Sequence, residues 1–432
     1  MLPGIKSSTT MRSRACSESV LTIFTVRRTV LLSDTFDRSI IMKLALIGIG
    51  QAGGKIADAF LARDRAMPGP DIVHHALAIN TAQTDLAGLS TIPEAQRLLI
   101  GETEVGGHGV GGDNELAAHI IERELDEVHT ALNQISVHEV NAFLIIAALG
   151  GGTGSGASPV LATHLQEIYA EPVYGLGILP AADEGGIYTL NAARSLQTLV
   201  DRVDNLILFD NDAWRNTGEA IEGGYEAMNR ELVTQVELPF RAGEIEEGQT
   251  VAESVVDSSE IINTLSGGGV STIGYADDDS VQSVESGSRG LLSRFSRNND
   301  PPEDSAVAVN RIMSLVRRAT LGRLTVEADV GSAERGLVVV AGPSEYLNRK
   351  GIERGRSWLE EETASMHIRG GDYPWSEDRV AVSVLLAGVS SIPRIEALKH
   401  QAVEAQSQLE STRANHDAAM DSLSTDELDS LF

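Results

Sequence analysis

The chain predicts an α/β fold, a Rossmann-like domain built on a parallel sheet and followed by a smaller α+β domain. Three observations carry this. Several apolar runs are near-continuous instead of alternating, as in strands buried on both faces. Stretches of helical periodicity lie between them. Glycine-rich turns punctuate the passage from one to the next.

Taken in order, a strand signal opens abruptly at 43–49 and a helix follows at 52–63. A strand at 74–79 precedes a long helix at 114–134. The run 142–149 is apolar throughout and leads into a helix at 158–169. Further apolar strands are expected at 172–179 and 205–209, then a helix at 219–238 and an acidic, turn-rich stretch at 241–250. A second set of elements, 270–275, 307–320, 323–330, 336–341 and 380–389, forms the smaller domain. Within it, 277–305 is rich in Ser, Gly, Asp and Asn and reads as a surface insertion. A helix at 393–419 and an acidic tail at 421–432 complete the chain. The expected boundaries are therefore 1–41, 42–243, 244–392 and 393–432.

Composition limits the function. The 432 residues are 42% hydrophobic and 4% aromatic, with a formal charge of −28. Nucleic acid is excluded as a general partner, because phosphates repel such a surface. No apolar run is long enough to span a membrane. The lysines reduce to Lys6, Lys43, Lys55, Lys350 and Lys399, and an acidic, lysine-poor surface of this kind suits a high-salt cytosol in which screening removes self-repulsion. It points to a halophilic source. Cys16 is the single cysteine and forms no intrachain disulfide, which suits a reducing, cytoplasmic compartment. Residues 1–41 differ from the rest: Lys6, Arg12, Arg14, Arg27, Arg28 and Arg38 outnumber Glu18, Asp34 and Asp37. That segment reads as an upstream-start artefact or a disordered arm, and Met42 as the start of the folded protein.

The chemistry concentrates in three glycine-rich loops. Gly150-Gly151-Gly152-Thr153-Gly154-Ser155-Gly156 lies between an apolar strand and a helix, where backbone amides meet a helix N-terminus and favour an anion. Glycine permits positive φ and close backbone approach, and the hydroxyls of Thr153 and Ser155 add donors. The bland alternative is a flexible connector. Gly48-Ile49-Gly50-Gln51-Ala52-Gly53-Gly54-Lys55 fits a dinucleotide turn, yet the second strand ends in Asn80-Thr81 where an NAD site needs an acid. An NAD-binding oxidoreductase remains a remote alternative. Neither loop is a P-loop, since the glycine-lysine-Ser/Thr order is missing. Gly106-Gly107-His108-Gly109-Val110-Gly111-Gly112-Asp113-Asn114 precedes the long helix, and three such loops on one sheet edge can surround a polyphosphate.

From Met42 to about Val389 the chain resembles the tubulin/FtsZ superfamily, with its closest likeness to the archaeal tubulin-like CetZ group. The motif Gly151 to Gly156 matches the superfamily's GTP-phosphate signature, Gly50 to Gly53 with Gly54, Lys55 and Asn80 resembles the first nucleotide site, and Gly111 and Gly112 lie in what resembles the γ-phosphate loop. Gly185 to Arg194 and Glu253 to Glu260 carry the CetZ likeness. The resemblance implies that Asn211 and Asn229 read guanine and that Glu184 lies in the ribose-contact loop. Asparagine suits guanine because it both donates and accepts; the bland readings are turn and helix-surface residues, and a helix cap for Glu184. It further implies a central helix and a head-to-tail filament. There, Asp257 and Glu260 of one subunit reach the nucleotide of the next. On their own these two acids read as a solvated helical face or N-terminal acids. Family members commonly have Asp where this chain has Glu260. The resemblance thus implies GTP/GDP with Mg²⁺ of unassigned ligands, self-assembly, membrane or shape-control adaptors, a cytoskeletal and cortical location, and control of cell shape or motility. An FtsZ-like division-ring GTPase is the alternative.

Overall fold

The computed structural model describes residues 42–67, 69–215, 221–242, 256–278 and 305–424. The expectations for 1–41, for most of the acidic stretch 241–250, for the insertion between 279 and 304 and for the tail from 425 onward lie outside them.

Ten strands form one continuous sheet in the order β3-β2-β1-β4-β5-β6-β7-β10-β8-β9. They are β1 (Leu44–Ile49), β2 (Val73–Asn80), β3 (Arg97–Leu99), β4 (Ala142–Ala148), β5 (Val173–Leu179), β6 (Asn205–Asp210), β7 (Val270–Asp278), β8 (Arg335–Gly342), β9 (Ile368–Pro374) and β10 (Val380–Val389). Every pairing from β3 to β7 is parallel, and β10 runs antiparallel to both β7 and β8. The join between the two halves is short: β6 and β7 pair only at Leu206↔Val270 and Ile207↔Ser271. Because β1, β2, β4, β5 and β6 all point the same way, the loops after them share one edge of the sheet.

The apolar runs are buried on both faces, as their lack of alternation required. Along β1 and β4, Ala45, Ile47, Phe143 and Ile145 enter one core layer, while Leu44, Leu46, Leu144 and Ile146 enter the other. Each such side chain contributes about 1.5–3 kcal/mol by leaving water. The helices that cover these faces are α1 (Gly50–Ala66), α2 (Gln83–Ala87), α3 (Glu102–Val105), α4 (Asn114–Arg123), α5 (Leu125–Leu132), α6 (Thr153–Ile168), α7 (Gly186–Leu199), α8 (Asn211–Trp214), α9 (Ile221–Arg241), α10 (Ser258–Leu265), α11 (Ser305–Leu321), α12 (Arg349–Thr363) and α13 (Pro393–Ser424). None is long and apolar enough to cross a membrane.

Three sequence expectations change. The long helix at 114–134 is broken at Glu124, whose backbone leaves the helical region (φ −107°, ψ 27°) while its carboxylate accepts from Gly101 N at 3.1 and 3.0 Å. The stretch 323–330, expected as an element of the second set, forms neither a strand nor an α-helix. Thr272 Oγ1 donates to Val326 O and accepts from Val326 N, so a side chain takes over bonds that a ladder would make between backbones. The helix after the glycine run begins at Thr153 instead of Ser158 and so includes the end of the motif itself.

At the far end of α9, Arg241 is buried against Asp64 (2.5 Å) and Glu237 (2.8 Å). Asp64 also accepts from Ile72 N and Val73 N, tying α1, α9 and the entry to β2 together. Burial pushes both carboxyls above the usual carboxylate range, against the pull of the Val73 amide and Arg241 at Asp64 and of Arg241 and Arg63 at Glu237.

Candidate nucleotide site

The three glycine loops meet. Gly50 follows β1 with φ +73°, and a Cβ there would sit 3.0 Å from Gly154 N. A Cβ on Gly152 would lie 3.0 Å from Gly112 Cα and 2.5 Å from Val110 Cγ2, while one on Gly156 would lie 2.0 Å from Asn114 O. The Gly48 to Lys55 and Gly106 to Asn114 loops therefore flank the Gly150 run on the common strand edge. Positive φ occurs at Gly50, Gly111 and Gly112 but nowhere from Gly150 to Gly156. In the signature run glycine is required for space, not for backbone hand.

Gly152 is the N-cap of α6 and no side chain caps it. The first-turn amides of this sixteen-residue helix thus lack both intrahelical partners and a capping oxygen, which leaves them available to an anion. The hydroxyls of the motif do not join them as expected. Ser155 Oγ donates back to the carbonyls of Gly151 and Gly152, and Thr153 Oγ1 pairs with Thr81 Oγ1 at 2.8 Å. Both side chains are buried and serve to shape the loop.

Behind the first loop, Asp85 accepts from Gln51 Nε2 (3.1 Å) and Asn80 Nδ2 (3.2 Å), while Asn80 Oδ1 accepts from Thr81 N (2.8 Å). One carboxylate thus orients two predicted site residues. Gly53 packs against β4, where a Cβ would meet Ile146 O at 2.2 Å, and Gly54 is buried beside it. Ala52 is half-buried. Lys55 is exposed one helical turn beyond Gln51, without an ion pair among the described residues.

Across the edge, Asn211 opens α8 directly after β6, and Asn229 lies on α9. Both are half-buried, and neither side chain hydrogen-bonds another described residue. Asp210 anchors that corner: it caps α8 through Asp212 N (3.2 Å) and accepts from Arg394 Nε (3.2 Å), whose Nη2 also donates to Pro180 O (2.7 Å). Burial raises the Asp210 carboxyl, against the pull of Arg394. Glu184 does not cap α7. Its Oε1 accepts from Ala181 N (2.8 Å) and from the Tyr225 hydroxyl (3.4 Å), closing its own loop and joining it to α9 one turn before Asn229.

Asp257 and Glu260 stand apart from this constellation. Asp257 caps α10 by accepting from Glu260 N (2.9 Å) and from Ser259 Oγ (2.5 Å), and Glu260 pairs with Arg369 of β9 at 3.0 Å. The end of α10 sits at the opposite strand edge, where Asn205, the first residue of β6, donates to Leu265 O and Gly268 O. β9 is six strands from β4, roughly 29 Å at about 4.8 Å per strand. Even with side-chain reach, the acids lie on the order of 20 Å from the phosphate loops of the same subunit.

The residues that the sequence did not single out are Thr81, Asp85, Asn191 and Tyr225. Thr81 directly follows the second strand and Asn191 lies inside the Gly185 to Arg194 stretch, but the site role of each rests on contacts distant in sequence, Thr153 for Thr81 and Gly112 and Gly150 for Asn191. Among the described residues no three His, Cys, Asp or Glu side chains gather as a metal site.

Comparisons with known proteins agree with this arrangement. Residues 43–219 match the model of the Tubulin/FtsZ family GTPase domain, and residues 218–404 match that of the tubulin-like CetZ C-terminal domain. The tubulin-like protein CetZ1 of Haloferax volcanii is 58% identical over 86% of this chain and 94% of its own length. The GDP-bound CetZ1 monomer superposes with a TM-score of 0.74 at 55% identity, covering 84% of this chain and all of that one. The GTPγS-bound CetZ2 protofilament from the same organism gives 0.74 at 42% identity, covering 85% of this chain and all of that one. FtsZ of M. jannaschii shares the fold alone, at 19% identity, with a TM-score of 0.62 over 80% of this chain and 88% of that one. The chain therefore belongs to the CetZ family of tubulin-like proteins and carries a Tubulin/FtsZ-family GTPase domain.

Proposed function

We propose that this protein binds GTP on the shared strand edge, assembles head to tail, and hydrolyses GTP only where two subunits meet. The separation of parts supports this best: one subunit holds the phosphate loops at one place and the two acids on the order of 20 Å away, so a single copy cannot bring them together. A head-to-tail contact joins the two ends and, because it does not close, generates a filament. CetZ2, at 42% identity to this chain, is known as a GTPγS-bound protofilament, which supports assembly.

Within that contact the first-turn amides of α6 and the turns at Gly50 and Gly111-Gly112 hold the phosphates. Asn211 and Asn229 present free amides to the guanine edge, and Glu184 lies beside the ribose. Asp257 and Glu260 of the neighbouring copy orient the attacking water and take its proton. Mg²⁺, when bound, neutralises charge on the phosphates. Its protein ligands are unassigned, and phosphate oxygens and water would complete its coordination, as is common for this ion. The cellular role that follows is control of cell shape or motility through cytoplasmic, cortical filaments and their adaptors. High identity to CetZ proteins favours it over a division ring, since FtsZ is matched at fold level only. Light scattering and phosphate release with GTP in high potassium salt test the reading. Hydrolysis proportional to monomer, with no assembly, would overturn it.

A further inference from the structure

Asn191 lies on the second turn of α7, almost fully buried, and its single amide nitrogen reaches both phosphate loops. Nδ2 donates to Gly112 O at 2.7 Å and to Gly150 O at 3.2 Å. Two carbonyl acceptors fix the orientation of the amide, since a flipped group would set its own oxygen against both. The helix that carries it is anchored by the buried Leu190, Ala192 and Leu196, and Arg194 pairs with Glu115 at the start of α4 (3.1 Å). The turn it holds takes a backbone conformation that favours glycine: Gly111 and Gly112 have φ +60° and +88°, and a Cβ at either would point into open space. Among the described residues, the amide of Asn191 is the one side-chain group bonded to that turn.

We propose that Asn191 is a positioning residue that locks the Gly106 to Asn114 loop to the signature loop, so that the two close together on a nucleotide carrying a third phosphate. The inference rests on the reading that the Gly111-Gly112 turn meets that phosphate. GDP, held by the signature loop, does not need the lock. GTP does, because the amides of the turn must stand at one distance from the α6 N-terminus to share its terminal phosphate. Asn191 acts through the two glycine carbonyls.

The test measures GTP and GDP affinity separately for the full-length protein and for Asn191→Leu, which keeps the volume and removes both donors without adding charge; Asn191→Ala guards against overpacking. GTP affinity should fall about ten- to a hundredfold, the range for two lost hydrogen bonds, while GDP affinity is kept. Equal loss of both affinities, or an unchanged GTP-to-GDP ratio in a folded variant, overturns the proposal. Gly112→Val separates this from the underlying reading: if it leaves the ratio unchanged, the turn does not meet the third phosphate at all. On the unaltered protein, amide exchange at Gly111 to Asn114 and at Gly150 to Gly152 should slow together on adding GTP but not GDP. Independent protection of the two loops overturns the coupling even if neither Asn191 variant folds.

Discussion

A Cβ on Gly154 would meet Ala148 O at 2.8 Å and Ile49 O at 3.1 Å, the carbonyls that end β4 and β1. Neither can retreat without disturbing the sheet edge, so even Gly154→Ala should lower stability by about 1–3 kcal/mol, read as a lower thermal midpoint with and without nucleotide. A variant of unaltered stability and GTP affinity would mean that the loop has room to spare. Asn211 offers the complementary case, a free amide with nothing to lose in the empty protein. Asn211→Ala should leave the apoprotein as stable as before and weaken GTP binding by about 1–3 kcal/mol, because guanine groups lose their partner. Competition by ATP should then rise toward that of GTP. If ATP already competes equally with the unaltered protein, base reading lies elsewhere. The phosphate loops were legible because each is a contiguous string whose composition has few other uses. Asn191 was not, since its meaning depends on carbonyls 41 and 79 residues away.

Elements were legible where one physical signal dominated. The strands buried on both faces announced themselves as apolar runs, and β10 spans Val380 to Val389 as expected. α12 was missed because its sequence is mostly charged; its buried residues Ile352, Gly355 and Leu359 form a narrow stripe against α11, where a Cβ on Gly355 would press on Val316 Cγ2 at 2.8 Å. The helix is amphipathic but of low overall hydrophobicity, so its narrow apolar stripe is hidden among charged residues until it packs against its neighbour. A local electrostatic device holds α1 to the loop before β3. Asp58 accepts from Ser90 N (3.2 Å), Ser90 Oγ (2.9 Å), Thr91 N (2.7 Å) and Ile92 N (2.7 Å). Burial pushes its carboxyl up, but the amides of Ile92, Thr91 and Ser90 and the Ser90 hydroxyl together outweigh it and hold it below its ordinary value of 3.8. A depressed folded pKa stabilises above the ordinary value and is lost as pH falls through the folded one. Asp58→Asn should therefore lower stability at neutral pH by about 1–3 kcal/mol. The gap to the unaltered protein should narrow as pH drops below about 4. A gap constant from pH 7 to acid would show that the charge on Asp58 contributes nothing.

At the scale of the molecule, the second set of elements does not stand aside from the first but extends its sheet, joined through the two residue pairs between β6 and β7. The sequence implied two sets of elements with different topology; it carried no sign of that shared edge, which depends on backbone pairing and not on side-chain pattern. The same extension sets the distance between the acids and the glycine loops. Glu260 is moored to β9 and the glycine loops follow β1 and β4, so the fold itself keeps the two apart in one copy, as the proposed shared site requires. Glu260→Ala should then bind GTP and assemble, with turnover reduced by roughly 10² to 10⁴. Turnover per subunit of the unaltered protein should rise with concentration as contacts form. A mixture supplies the decisive comparison, pairing Glu260→Ala with a signature-loop variant such as Gly152→Val that cannot hold GTP. Each is inactive alone. A contact between the intact GTP site of the first and the intact Glu260 of the second restores a working junction, so phosphate release should reappear in the mixture and peak near equal proportions. A mixture as inactive as its components, with both variants shown to co-assemble, would place the acid and its nucleotide within one subunit.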